Sequence, residues 1–171
     1  MKTLFLLRHV KSDWDDPWVE DFDRPLALRG RKAAPRMARY MAAKGLVPDL
    51  VLCSSARRTR ETWALTAAQW DAPPPVRFRK GIYEAAATSL LALIRKTPAE
   101  WSRLMVIGHN PGMENLAHLL TGGGKTKAIK RMMEKFPTGA LAELRFDAET
   151  WPEIQEETGE LRRFKRPRDL D

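Results

Sequence analysis

The chain has 171 residues, of which 43% are hydrophobic, and it carries a formal net charge of +8 at pH 7. This length and composition are typical of one globular unit with a sizeable core, so we expect a single domain over residues 1–171. The lone cysteine, Cys53, excludes an internal disulfide framework and favours a reducing, cytoplasmic compartment. No apolar run has the length of a transmembrane helix, and the run before Arg8 is too short for a signal peptide, so we expect no membrane association.

The charge is distributed unevenly. Because residues 13–23 include six carboxylates and no basic residue, the rest of the chain carries a net charge of +14. Trp14, Trp18 and Phe22 lie among these acids and Pro17 interrupts them, so we expect a loop that folds over the carboxyl end of the first strand. The basic remainder favours an anionic substrate or partner, although an ordinary solvated basic surface would have the same composition.

Apolar runs and amphipathic segments alternate along the chain. Continuous apolar runs predict buried strands at residues 4–10, 50–53 and 104–107. Weaker patterns predict strands at residues 76–79 and 139–146, with an edge strand at 161–166. Apolar spacing of 3.6 residues predicts helices at residues 29–44, 56–70, 86–96 and 113–120. Pro35 predicts that the first helix either starts near Ala34 or is kinked. The alternation favours an α/β fold, namely a three-layer α/β/α sandwich with a mostly parallel central sheet.

Basic side chains follow three of the predicted strands, at the points where these strands end. Arg8 and His9 end the first strand, and His109 follows the strand at residues 104–107. Two serines follow the second strand and are expected to cap the next helix, whose first turns carry Arg57, Arg58 and Arg60. Carboxyl ends of parallel strands meet at one edge of a sheet, so these groups are expected to converge. Arginines, histidines and helix N-termini together form an anion pocket, and phosphate is its natural occupant.

Each of these residues alone is explained equally well by a surface position or by helix capping. Other phosphate chemistries fit the spacing less well. A cysteine-dependent phosphatase needs an arginine six positions after its cysteine, where this chain has Thr59 after Cys53. The three histidines are well separated and lack carboxylates at ligand spacing, so we expect no metal and no cofactor. No P-loop sequence is present.

Three segments resemble motifs of the histidine phosphatase superfamily, the phosphoglycerate mutase-like proteins. Residues 7–9, Leu-Arg-His, resemble its R-H-G signature, and residues 106–110 resemble the strand that carries its second histidine. Residues 54–62 resemble its S-P-x-x-R-A-x-Q-T segment, which aligns the arginine of that motif with Arg58 rather than with Arg57. The short length and the segments at 24–26 and 136–140 are most similar to the SixA-type phosphohistidine phosphatases.

The resemblance implies a phosphoglycerate mutase-like fold and a metal-independent phosphatase. By this resemblance, His9 attacks phosphorus and forms a phosphohistidine intermediate, while the non-bridging oxygens are held by Arg8, Arg58 and His109. Ser12 is a further expected phosphate donor. Glu84 stands where larger members of the superfamily place their general acid, although a carboxylate at the start of a helix explains it equally well.

Two residues depart from the superfamily pattern. Val10 replaces a glycine, and Ser55 replaces a proline. We expect the β-branched Val10 side chain to narrow the pocket or to change which backbone amide contacts the ligand.

The resemblance to SixA-type proteins favours phosphohistidine on a protein as the substrate. A small phosphoester metabolite is the alternative. A function of a different class is a non-catalytic basic module that binds acidic protein or nucleic acid. The basic segment at 125–135 contains no aromatic residue on which bases could stack, so we expect no nucleic-acid partner. The oligomeric state cannot be predicted from these patterns.

Overall fold

The computed structural model describes residues 1–170, and its strands form one sheet. The strands are β1 (Lys2–Arg8), β2 (Leu50–Ser54), β3 (Val76–Arg79), β4 (Arg103–Gly108), β5 (Thr121–Gly124), β6 (Leu141–Phe146) and β7 (Gly159–Lys165). Their order across the sheet is β3-β2-β4-β1-β6-β7-β5. Strand β6 runs antiparallel to both of its neighbours, and the other adjacent strands run parallel. The predicted, mostly parallel sheet is therefore confirmed.

Helices cover both faces of this sheet. They are α1 (Leu28–Ala43), α2 (Arg57–Ala67), α3 (Ala87–Arg95), α4 (Gly112–Leu120) and α5 (Thr126–Glu134). Helices α1 and α2 pack with Phe5 and Leu7 on one face, whereas α3, α4 and α5 pack with Leu4 and Leu6 on the other. The side chains of β1 thus alternate between two buried faces, as expected for a central strand. The three-layer α/β/α arrangement is confirmed.

Two elements near residue 125 are absent from the sequence prediction. We expected the glycine run only to end α4, but it forms β5 beside β7. A Cβ atom added to Gly122 would lie 1.8 Å from the carbonyl oxygen of Glu157, so only glycine fits this close approach. Helix α5 was missed because its residues are mostly exposed, with Met132 as its fully buried anchor.

Three boundaries also differ from those expected. Strand β1 ends at Arg8, so Val10 lies in the following loop. Helix α1 starts at Leu28 and continues through Pro35 rather than starting near Ala34. Strand β7 pairs with β5 as well as with β6, so it is an interior strand and not the predicted edge.

None of the helices among residues 1–170 has the length and apolar character needed to cross a membrane.

Candidate active site

A pocket of about 500 Å³ opens where the parallel strands end. Its walls include all six residues predicted for the site, namely Arg8, His9, Ser12, Arg58, Glu84 and His109. The fold thus brings these residues to one pocket, while their chemical roles remain predictions.

The pairing of β1 with β4 brings the two histidines side by side. Arg8 lies opposite Gly108 in this parallel register. The backbone N–H of His9 donates to the Gly108 carbonyl at 3.1 Å, which continues the pairing by one residue. The centroids of the His9 and His109 rings are consequently 5.3 Å apart. Two segments that are a hundred residues apart in the chain thus place their imidazoles in one pocket.

The His9 imidazole is held in one tautomer. Its Nδ1 lies 2.7 Å from the Val10 carbonyl oxygen, and a carbonyl only accepts hydrogen bonds, so Nδ1 carries the proton. Burial lowers the pKa of His9 to about 3, even though the hydrogen bond to Val10 favours the charged form. The ring is therefore neutral at pH 7, with an unshared electron pair on Nε2. This is the state that a nitrogen nucleophile requires.

His109 is held by a serine that we expected to cap a helix. Its Nε2 shares a hydrogen bond of 2.7 Å with the Ser54 hydroxyl, whereas Ala56 is the N-cap of α2 and makes no side-chain capping bond. The capping prediction for Ser54 was wrong, because the hydroxyl faces the histidine on the neighbouring strand. Burial and the positive charge of Arg58 lower the pKa of His109 to about 4, so this ring is neutral at pH 7 as well.

Of the neighbouring arginines, Arg58 faces the pocket. Its side chain is buried, whereas Arg57 is exposed and its Nε lies 3.4 Å from a Glu61 carboxylate oxygen. The two terminal nitrogens of Arg58 both donate to Asp21, to its carbonyl oxygen at 2.6 Å and to its carboxylate at 3.1 Å. The alignment of the motif arginine with Arg58 agrees with this geometry.

Asp21 and Tyr83 also line the pocket, and the sequence did not single them out. The Tyr83 hydroxyl donates to the Asp21 carboxylate at 2.5 Å. Burial acts to raise the pKa of Asp21, but the Tyr83 hydrogen bond and the Arg58 charge outweigh it and lower this pKa. The carboxylate is thus ionised beside Arg58. The acidic loop does fold over the end of β1 as expected, but six similar carboxylates gave no signal that Asp21 was the one facing inward.

Arg8 is anchored by a backbone carbonyl from a distant part of the chain. One terminal nitrogen donates to the Phe136 carbonyl at 3.0 Å. Burial lowers the pKa of the Arg8 guanidinium, and the nearby Glu114 carboxylate opposes that decrease. The Arg8 Nε and the His109 Nδ1 are buried and have no hydrogen-bond partner among the described residues. Buried polar groups are normally satisfied, so these two atoms are exceptions to that rule beside the pocket.

Ser12 and Glu84 both line the pocket, but they differ in their exposure to solvent. Ser12 is buried and pairs with Leu26 in an isolated β-bridge. Glu84 is exposed and has a φ of 57° in the turn before α3, so it does not sit at the helix start that would explain it electrostatically. Its position on the pocket wall favours a role there.

Val10 does not narrow the pocket, which was the first of our two expectations for this residue, and its effect on the amides that contact a ligand stays a prediction. Its side chain is buried in a small cluster with Leu26 and Ala34 rather than along the pocket wall. Its backbone N–H is 3.3 Å from the Thr62 hydroxyl oxygen, to which it donates. The valine therefore packs the loop against α1 and α2.

Close packing of this loop depends on a glycine in α1. A Cβ atom added to Gly30 would lie 2.2 Å from the Lys11 carbonyl oxygen. The loop that follows His9 therefore lies directly on the helix backbone.

Among the described residues, no group of three or more His, Cys, Asp or Glu side chains is arranged to hold a metal ion. The charged groups at the pocket are instead the cations Arg8, Lys11 and Arg58 and the carboxylates Asp21 and Glu84. With two neutral imidazoles between them, this arrangement can bind a phosphoryl group and present a nitrogen lone pair to phosphorus.

Comparison with known proteins gives matches over most of the chain. The model of the histidine phosphatase superfamily, branch 1, matches residues 4–105. An uncharacterised protein of Mycobacterium tuberculosis is 36% identical over 164 residues, covering 95% of this chain and all of that protein.

Two solved structures are similar over almost the whole chain. A protein from Nakamurella multipartitia, assigned as the phosphohistidine phosphatase SixA, has a TM-score of 0.84 at 28% identity, covering 97% of this chain and 96% of that chain. A protein from Agrobacterium tumefaciens with the same assignment has a TM-score of 0.82 at 29% identity, with coverages of 97% and 98%.

Proposed function

Because this chain belongs to the histidine phosphatase superfamily, we propose that it hydrolyses phosphohistidine on a protein, with His9 as the nucleophile. The observation that carries the proposal is the state of His9, which is neutral, fixed in its tautomer and placed between Arg8, Arg58 and His109. The broader class is secure, since the chain is a phosphatase of this superfamily and of the SixA type.

The first half-reaction transfers the phosphoryl group to His9. The Nε2 lone pair forms a bond to phosphorus as the bond from phosphorus to the leaving nitrogen breaks. Arg8, Arg58 and His109 hold the non-bridging oxygens, so that the charge on the transferring group meets donors that are already oriented. Ser12 adds a hydroxyl on the same wall.

The second half-reaction is hydrolysis of the phosphohistidine intermediate. Water attacks phosphorus, the bond to Nε2 breaks and His9 returns to its neutral form as inorganic phosphate leaves. Glu84 is the carboxylate best placed to exchange protons with the leaving group and with this water. Asp21 is less suited, because its pKa is lowered and its carboxylate is engaged by Arg58 and Tyr83.

Two observations support a protein substrate. The similar structures at 28% and 29% identity carry the phosphohistidine phosphatase assignment. The pocket also shares residues with a second cavity that extends the accessible surface beyond the phosphoryl site. A small phosphoester remains the alternative, since a volume of about 500 Å³ accommodates one. The free thiol of Cys53 is buried in the core, which suits the cytoplasmic location that we assign to the enzyme.

The test compares substrates and variants in matched assays with and without EDTA. We expect the wild-type protein to hydrolyse a phosphohistidine protein with a higher kcat/KM than phosphoserine or an alkyl phosphate. His9→Ala should remove this activity and also the acid-labile, base-stable phosphoenzyme that can be trapped by rapid quenching. Arg58→Ala should lower kcat/KM by about 10²–10³, and the exposed Arg57→Ala serves as the matched control that retains activity.

Two results would overturn the proposal. Undiminished activity in His9→Ala would remove His9 as the nucleophile, and loss of activity to EDTA would require a metal. A higher kcat/KM for the alkyl phosphate would leave the phosphatase class in place and transfer the substrate assignment to small phosphoesters.

A further inference from the structure

A second cavity of about 520 Å³ lies next to the active-site pocket. The two cavities share Lys11 and Thr138 in their walls, so they adjoin one another directly. None of the residues that line this second cavity takes part in the mechanism proposed above.

The second cavity is strongly basic. Of the described residues that line it, eight are lysine or arginine and one, Glu134, is acidic. Helix α1 contributes Arg29 and Lys32, the region of α5 contributes Arg131 and Lys135, and the C-terminal turn contributes Arg168. We call this cavity the basic groove.

Most of these cations are available to a ligand. Arg29, Lys32, Lys135 and Arg168 are exposed. Arg166 is different, because its guanidinium is paired with the Asp169 carboxylate at 2.8 Å. Its charge is largely satisfied within the chain, so the positive field of the groove comes mainly from the exposed cations. A concave surface lined by charges of one sign focuses its field and concentrates ligands of the opposite sign.

We propose that the basic groove binds an acidic segment of the phosphoprotein substrate, next to the phosphohistidine in the pocket. This inference rests on the proposed function and names the class of protein that the enzyme accepts. Binding energy from the groove is the same before and during phosphoryl transfer, so it lowers KM and leaves kcat unchanged.

An acidic polypeptide fits the groove better than the other polyanions do. The pocket and the groove each measure about 500 Å³, so a single small molecule that filled both would need a site at the upper end of the usual range. A single-stranded nucleic acid would need aromatic side chains for base stacking, and the described residues of the groove include none. Carboxylates spaced along a peptide match cations that come from three separate elements.

The variant for the test reverses two charges at the start of α1, in Arg29→Glu/Lys32→Glu. Both side chains are exposed, and Arg29 lies in the first turn of α1, where an acidic residue is favoured, so folding is preserved. The control variant, Arg77→Glu/Lys96→Glu, makes the same change in net charge. It does so at exposed positions of β3 and of the end of α3, which do not line the groove.

Two phosphohistidine peptides of equal length serve as substrates, one with glutamates and the other with glutamines flanking the phosphohistidine. We expect the wild type to have the lower KM for the acidic peptide, by about tenfold or more, and to lose that preference as salt is raised. The groove variant should lose the preference with kcat unchanged, and the control variant should keep it. Equal KM values for both peptides in the wild type, or the same loss in both variants, would overturn the proposal.

A binding measurement separates failure of this inference from failure of the proposed function. Fluorescence anisotropy of the unphosphorylated glutamate peptide needs no turnover, so it reports on the groove even if phosphohistidine is not the substrate. Weaker binding by the groove variant than by the control supports an acidic-polypeptide site. Binding of single-stranded DNA or of inorganic polyphosphate that is lost in the groove variant, without binding of the peptide, would overturn it.

Discussion

Acidification should destabilise the protein through its two neutral histidines. Burial lowers the pKa of His9 to about 3 and, with the charge of Arg58, the pKa of His109 to about 4. In the unfolded chain both take the ordinary value of 6.5. Below pH 6.5 the unfolded chain therefore binds protons that the folded protein does not, so the free energy of unfolding falls as the pH falls.

The magnitude follows from these values. The ordinary pKa of 6.5 is 1.5 units higher than pH 5, so the histidine of the unfolded chain is mostly protonated at pH 5. The pKa of His9 in the folded protein is well below pH 5, so this ring stays neutral there. Each pH unit in this window corresponds to about 1.4 kcal/mol, so His9 alone should cost about 2 kcal/mol of stability between pH 7.5 and pH 5. His109 should contribute a similar amount.

The variant His9→Asn isolates this effect. Asparagine retains an N–H at the position of Nδ1, so the hydrogen bond to the Val10 carbonyl is preserved, but the side chain does not titrate. We expect urea denaturation at pH 7.5 and pH 5 to give a loss about 2 kcal/mol smaller in His9→Asn than in the wild type. The exposed Arg57→Gln is the control and should show the wild-type loss. Equal losses in His9→Asn and the wild type would show that His9 is not a buried neutral imidazole.

Three further substitutions test neighbouring parts of the site. Glu84→Gln should lower kcat on an alkyl phosphate by about 10²–10³. The loss of kcat on phosphohistidine should be far smaller, because its imidazole leaving group needs little protonation. Equal, severe losses on both substrates would contradict this prediction. Asp21→Asn removes a carboxylate that competes with phosphate for Arg58, so it should lower the Ki of inorganic phosphate about threefold. A higher Ki would show instead that Asp21 mainly orients the arginine. Val10→Gly should cost about 2–3 kcal/mol in urea denaturation with KM unchanged, and a tenfold change in KM would place Val10 at the pocket after all.

The central strands of the sheet and the convergence of Arg8, His9, Arg58 and His109 could be predicted because strong local signals indicate them. The apolar runs of β1, β2 and β4 are buried on both faces. Continuous apolar runs of this kind are typical of neighbouring strands in a parallel sheet. Once those strands lie together, residues at their carboxyl ends must be neighbours. His9 and His109 are therefore predictable from strand ends alone, whatever their chemistry.

The partners of these residues could not be predicted, because their contacts depend on tertiary packing without local periodicity. Asp21 is one of six carboxylates in a loop, and only the fold shows which of them reaches Arg58. Ser54 looked like a helix cap, but the strand pairing turns its hydroxyl towards His109. The same limit explains Val10, whose departure from the superfamily pattern matters for packing on Leu26 rather than for the ligand.

The basic charge of the chain shows why composition and structure answer different questions. A net charge of +14 outside the acidic loop is compatible with a solvated surface, and each basic residue of α1, α5 and the C-terminal turn is unremarkable in its own segment. The fold brings these segments to one cavity that adjoins the phosphoryl pocket. A randomly solvated surface would place its lysines and arginines without regard to the active site, and would mix them with acids. Because the groove instead shares Lys11 and Thr138 with the pocket, its positive field extends to any anion that binds in the pocket.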